Sequence, residues 1–146
     1  MRWTWTVVLL FLLVIAAIMG CGAALPVAHV ASRQARFRKP VEEVWAAIAR
    51  EKTFREDNVN YEVIESSPPR RMVTRIADKN LPYGGQWTYE ISPDGDGSIL
   101  RITENGEVYN PFFRFVSRFI IGHTATIDNR LRALGKQFGE TVKIED

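Results

Sequence analysis

The chain has 146 residues, with 19 Lys and Arg against 17 Asp and Glu, two histidines and a single cysteine, Cys21. Charge this close to balance, with no basic stripe, excludes the electrostatic footprint of a nucleic-acid binder, and one thiol excludes an intramolecular disulfide. Two histidines and one cysteine also leave too few ligands for a protein-only zinc site, and there is no Walker A loop, dinucleotide-binding GxGxxG or GxSxG elbow, so no metal or cofactor is expected.

Residues 3–25 carry no charge. As a helix they would span about 34 Å, slightly more than the ~30 Å hydrocarbon core of a bilayer, and they read as an uncleaved membrane anchor. Two other readings stay open. A secretory signal also starts with a basic residue such as Arg2, although its apolar region is usually about 7–15 residues long. Ile18-Met19-Gly20-Cys21 loosely resembles a lipoprotein lipobox, with Met19 a poor fit. All three put the rest of the chain at or beyond a membrane. Arg33, Arg36, Arg38 and Lys39 after the span, against Arg2 before it, lean a single-pass topology towards a cytoplasmic domain. The same four residues read equally well as the solvent face of a first strand.

Residues 1–30 are therefore taken as anchor and linker, with the linker at 22–29, and 31–146 as one domain. Within it, 33–38 alternates with Ala35 and Phe37 on one side, the pattern of a half-buried strand. Pro40 suits a first helical turn, and Val41, Val44, Trp45 and Ile48 recur at helical spacing, so a helix is expected over 40–51. The charged run TFREDNVN at 53–60 reads as a linker. Strands are expected at 61–65, 72–76, 86–92 and 99–109. They are separated by a turn at Ser66-Ser67-Pro68-Pro69, a loop at Tyr83-Gly84-Gly85 and a turn over 93–97 that lacks the ligand spacing of a calcium loop.

Asn110 is a good N-cap and Pro111 a good first residue, so the spacing predicts one helix over 111–138, about 42 Å long, stopped by Gly139. Phe112, Val116, Ile120, Ile127, Leu131, Leu134 and Phe138 fall on one stripe, widened by Phe115 and Phe119, with His123 near its middle. The order is strand, helix, antiparallel strands and long C-terminal helix. This is an α+β arrangement in which the helix covers the concave face of a curved sheet.

The segments KPVEEVWAAI, PPRRMVTRIAD and YGGQWTYEISPDGDGSILRITENGEVYNPFFRF, together with the closing helix, resemble the SRPBCC superfamily of START-like helix-grip proteins, which includes polyketide cyclase and dehydrase-like members. The string from Gly85-x-Trp87 to Asn110-Pro111-x-x-Arg114-Phe115 is its most specific part. The resemblance implies a sheet gripping the long helix around a hydrophobic cavity for lipids, sterols or polyketides. Fold alone does not choose among the superfamily's carriers, regulators and enzymes. Many relatives insert a helix and more sheet before the strand equivalent to 61–65, where this chain has about ten residues, so the cavity wall is expected to be shortened and open to solvent, membrane or a partner chain.

On this reading the expected ligand-contacting residues are Trp87, Tyr89, Ile102, Glu104, Phe112, Val116, Phe119, Ile120, His123, Ile127 and Arg130, around a hydrophobic small molecule or lipid. His123 and Glu104 are the candidates for proton transfer. A neutral imidazole on a cavity-facing helix suits a general base, and a carboxylate facing apolar surface needs a partner, for which Arg130 is available. Each has a blander reading: His123 as a satisfied structural histidine, Glu104 turned outward by a bulge near Asn105-Gly106, and Trp87, Tyr89 and Tyr109 as core aromatics. Arg114 and Arg118, one helical turn apart, would approach lipid phosphate if the groove faces a bilayer, or else form a solvated face. The leading expectation is a membrane-tethered binding module, which leans away from an enzyme and leaves that question open. A cyclase or dehydrase-like enzyme and an interaction domain completed by a partner protein are the alternatives.

Overall fold

The computed structural model describes residues 2–50, 53–54 and 59–146. Helix α1 (Arg2–Ala24) is long and apolar enough to cross a membrane, and it lies at the N-terminus, where signal sequences share that character. From Trp3 onward its side chains are exposed along almost the whole length, and among these residues only Gly22 is buried. A Cβ on Gly22 would overlap the carbonyl of Pro111, so the absent side chain is what lets the two backbones meet.

Three residues, 25–27, separate α1 from β1 (Ala28–Phe37), so the strand begins well before residue 33, and the expected linker at 22–29 is shared between the last turn of α1, this short connection and the first two residues of β1. The reason is non-local: β1 pairs antiparallel with β6 (Gly97–Val108) without interruption from Ala28↔Glu107 to Phe37↔Ser98. Helix α2 (Val41–Arg50) starts as expected after Pro40, whose carbonyl accepts from the Glu43 and Val44 amides at 3.1 and 3.2 Å. It buries Val41, Val44, Ala47 and Ile48.

The expected linker at 53–60 is partly sheet. Strand β2 (Thr53–Phe54) pairs with the start of β3 (Val59–Ser67), while the rest of that run, 55–58, lies outside the described residues. Strands β3 and β4 (Arg71–Ile76) pair with a register shift between Val63 and Glu65. Strand β5 (Tyr83–Asp94) takes in the expected loop at 83–85 and the first half of the expected turn at 93–97, leaving Gly95 and Asp96 as the hairpin tip, with Gly95 at φ 59°. A last strand, β7 (Ile144–Glu145), pairs with Gln34 and Ala35 and was not expected. The result is an α+β fold whose curved, antiparallel, seven-stranded sheet has the order β2-β3-β4-β5-β6-β1-β7.

The expected single helix over 111–138 is broken. It comprises α3 (Pro111–Val116), a π-helical turn (Ser117–Ile121) and α4 (Ala125–Gln137). Gly122, at φ 82° and ψ 149°, adopts a backbone conformation essentially reserved for glycine, and its amide closes the π turn on the Ser117 carbonyl at 3.0 Å. The local signals at either end of the run do operate. Asn110 accepts from the Phe112 and Phe113 amides at 2.9 and 3.4 Å, and Gly139 takes φ 72° after α4.

Helices α2 and α4 cover one face of the sheet. Ile127, Leu131 and Leu134 of α4 join Val44 and Ile48 of α2 and Tyr89, Ile91, Leu100 and Ile102 of the sheet in one buried cluster. The other face is ionic and solvated, with Arg71 bonded to Glu65 and Glu90, Arg75 to Glu62, and Arg36 to Asp94.

Candidate functional site at the foot of α1

Strand alternation sorts the inner face into rows running across the sheet. In the core row, Met72, Tyr89 and Ile102 are neighbours on adjacent strands, and Arg33 continues the row on β1. The next row towards α1 holds Thr74, Trp87, Glu104 and Ala31, and the one beyond it holds Gly85, Gly106 and His29. The inner face thus changes character along its length, from aliphatic under α2 and α4 to polar near α1.

Glu104 points inward. The register of β6 with both neighbours is unbroken through Asn105 and Gly106, so the expected outward-turning bulge does not form. The group beside Glu104 is His29, with Nε2 at 3.8 Å from Oε1, on a strand where a linker was expected. The second carboxylate oxygen, Oε2, is buried without a hydrogen-bond partner, as is the Thr74 hydroxyl in the same row. Each is an unsatisfied polar atom in a place where desolvation is costly.

Gly106 explains why His29 fits. A Cβ there would run into the imidazole Cε1 and Nε2 and come within 3.0 Å of Glu104 Oε1, so the missing side chain makes the pocket for the ring. His123, in the break between the π turn and α4, stacks on His29 with ring centroids 3.9 Å apart and planes at 21°. Partial burial, and after it the positive fields of His29 and Arg118, hold the His123 imidazolium below its ordinary pKa, while Glu104 opposes the shift. His123 is therefore neutral over a wider range than a free histidine and available as a proton acceptor.

A cavity of about 350 Å³ opens beside this pair, walled by the chain from Leu25 to Val30, by Val108 and by Arg114, Ser117, Arg118 and His123. Arg114 donates from Nη1 to the Leu25 carbonyl at 2.7 Å, tying α3 to the end of α1. On the opposite face of the sheet a larger cavity of about 620 Å³ is lined by charged and amide groups, including Glu62, Arg75, Gln86 and Glu107. Tyr109 belongs there and not to an apolar pocket: its hydroxyl donates to Glu107 at 2.8 Å, a hydrogen bond that raises the phenol's pKa.

The expected site residues are dispersed. His123 and Glu104 come together around His29, with Trp87 opposite Glu104 on the neighbouring strand. Tyr89, Ile102 and Ile127 are fully buried in the core cluster. Val116 and Arg130 are half-buried. Phe112, Phe119 and Ile120 are exposed and outside the core cluster. His29, Thr74 and Gly106 were missed. For His29 a signal existed, since it is one of only two histidines, but its strand is defined by a partner more than seventy positions away.

No family model and no curated protein matches the sequence. Solved structures match its fold. A conserved protein from Geobacillus kaustophilus aligns with a TM-score of 0.61 at 14% identity, over 81% of this chain and 100% of that one. A protein from Thermobifida fusca aligns at 0.55 and 15%, over 75% and 93%. The Mll3558 protein from Rhizobium loti aligns at 0.53 and 14%, over 76% and 94%. At such identities the likeness concerns the fold alone.

Proposed function

We propose that this protein is a membrane-tethered binding module, a shortened relative of the START-like helix-grip proteins, that holds a hydrophobic or lipid-like small molecule at the foot of its anchor. The observation that carries this reading is the placement of the 350 Å³ cavity: its wall begins at Leu25, one residue after the end of α1, and α3 and the π turn beside it expose Phe112, Phe113, Phe119, Ile120 and Ile121. Large apolar side chains grouped on one segment are what a protein surface avoids unless something apolar covers them. Here α1 sits in a bilayer as a single span, the domain leans to the cytoplasmic side, and α3 lies at the headgroup level, where aromatic residues concentrate.

Binding is driven by burial of apolar ligand surface, at about 25 cal/mol per Å² before ordering costs, and polar groups at the cavity orient the guest. Full-length protein, delipidated in detergent and titrated with fluorescent fatty acids, sterols and polyaromatics, takes up at least one class saturably. A flat response across the whole panel overturns the reading.

A second reading has its own observation. A neutral imidazole stacked on another, beside a carboxylate with one unsatisfied oxygen, is equipped to move a proton, as in a cyclase or dehydrase-like enzyme. Under it, Glu104→Gln and His123→Gln abolish turnover of a polyketide-like substrate and leave its uptake intact. Uptake and turnover falling together return the argument to binding.

A further inference from the structure

Four of the five arginines in the sheet strands are paired with acids, and the fifth, Arg101, donates to the side-chain oxygen of Gln34. Arg33 meets Asp128 and Asp146, Arg36 meets Asp94, Arg71 meets Glu65 and Glu90, and Arg75 meets Glu62. Arg114 and Arg118 differ. Among the described residues neither makes an ion pair; Arg114 spends Nη1 on the Leu25 carbonyl and keeps a buried Nε without a partner. Both line the cavity at the foot of α1, whose other ionisable lining residues are His29 and His123, and no acidic side chain lines it. Glu104 stands behind His29, outside that lining.

We propose that this cavity binds an anionic phosphate ester, with the Arg114 and Arg118 guanidinium groups as its charge partners and Ser117 beside them. The inference rests on the membrane-tethered reading above and names the class of ligand for that same site. Guanidinium forks match phosphate oxygens geometrically and are weakly hydrated, so they suit a partly enclosed site better than ammonium groups would. The volume is at the small end for a ligand pocket and fits a headgroup more readily than a whole lipid. Apolar chains attached to that headgroup would leave the cavity towards the exposed face of Phe112, Phe119 and Ile120, beside the end of α1. The same chemistry could arrive as a soluble phosphate ester, and the test separates the two sources.

Full-length protein is reconstituted in nanodiscs of phosphatidylcholine with a minor share of phosphatidylglycerol, and the lipids it retains are counted by native mass spectrometry. The expected result is severalfold enrichment of phosphatidylglycerol over its bilayer share. Arg118→Gln, an exposed and unpaired position, should reduce that enrichment to the bilayer ratio, and Arg101→Gln on the opposite face should not. Arg114→Gln is a second variant, read alongside because its tie to Leu25 also shapes the fold. If millimolar glycerol 1-phosphate displaces the retained lipid, the site accepts free phosphate esters as well; if it does not, the source is the bilayer, and both results support the chemistry. Retention at the bilayer ratio, or enrichment that survives Arg118→Gln, overturns the inference. Continued saturable uptake of an apolar probe would then leave the proposed function standing, whereas loss of both would sink the two together.

Discussion

Residues 111–121 and α4 carry one continuous apolar pattern and meet opposite fates. Ile127, Leu131 and Leu134 are at most 1% exposed, whereas Phe119 and Ile120 are 61% and 70% exposed. Composition does not separate them, since the first segment is the more hydrophobic. What separates them is the surface opposite. Helix α4 packs on β1 and joins the buried cluster, whereas α3 packs chiefly against α1. Helical periodicity marks a face that leaves water without specifying the medium that receives it.

The sharpest break of this contrast is truncation on each side. Leu131→Ala should cost about 2–5 kcal/mol, the range for emptying a packed aliphatic site, and Ile120→Ala should change stability by no more than ~0.5 kcal/mol, as at surface positions. Denaturant unfolding of the two variants in the same detergent measures the difference; equal losses would mean that both segments are core.

The hinge between the two regions should respond next. Gly122→Ala places a side chain where φ is 82°, a cost of about 1–3 kcal/mol, and the loss should appear in thermal unfolding together with chemical-shift changes in His123. Gly106→Val drives a side chain into the His29 ring, at ~1–3 kcal/mol for overpacking. Its signature is loss of the mutual ring-current shifts of His29 and His123. If those shifts persist, the glycine is not what seats the ring.

The smallest effect is in pH. The folded pKa of His123 lies below its ordinary value, so the unfolded chain binds a proton first as pH falls. This contribution to stability is complete well above pH ~6.5, declines as pH drops through that value, and levels off below the folded pKa. In His123→Gln that part of the slope should disappear from unfolding curves taken across the window; an unchanged slope would assign it to other groups.

Much of this was legible in the sequence wherever the determinant is local. The Asn110-Pro111 start, the face shared by Trp87, Tyr89 and Ile91, and the apolar side of α2 are each set within one or two turns of chain. The candidate site was half legible. Alternation alone puts Glu104 inward, but its neighbour His29 belongs to a run, Ala28-His29-Val30-Ala31, with no strand signal of its own; register with 104–107 makes it a strand. Strands β2 and β7, two residues each, depend on partners in the same way. Gly122 was visible as a letter. A stripe spaced evenly on both sides of it outweighed a single glycine, whose effect depends on whether the next turn has a sheet beneath it.

Gly22 is the position where the absence of a side chain has the farthest reach. With Pro111 seated against it and three residues between α1 and β1, the domain is moored at two points and cannot swing on a leash. Whatever enters the cavity therefore meets it at one short offset from the last turn of α1.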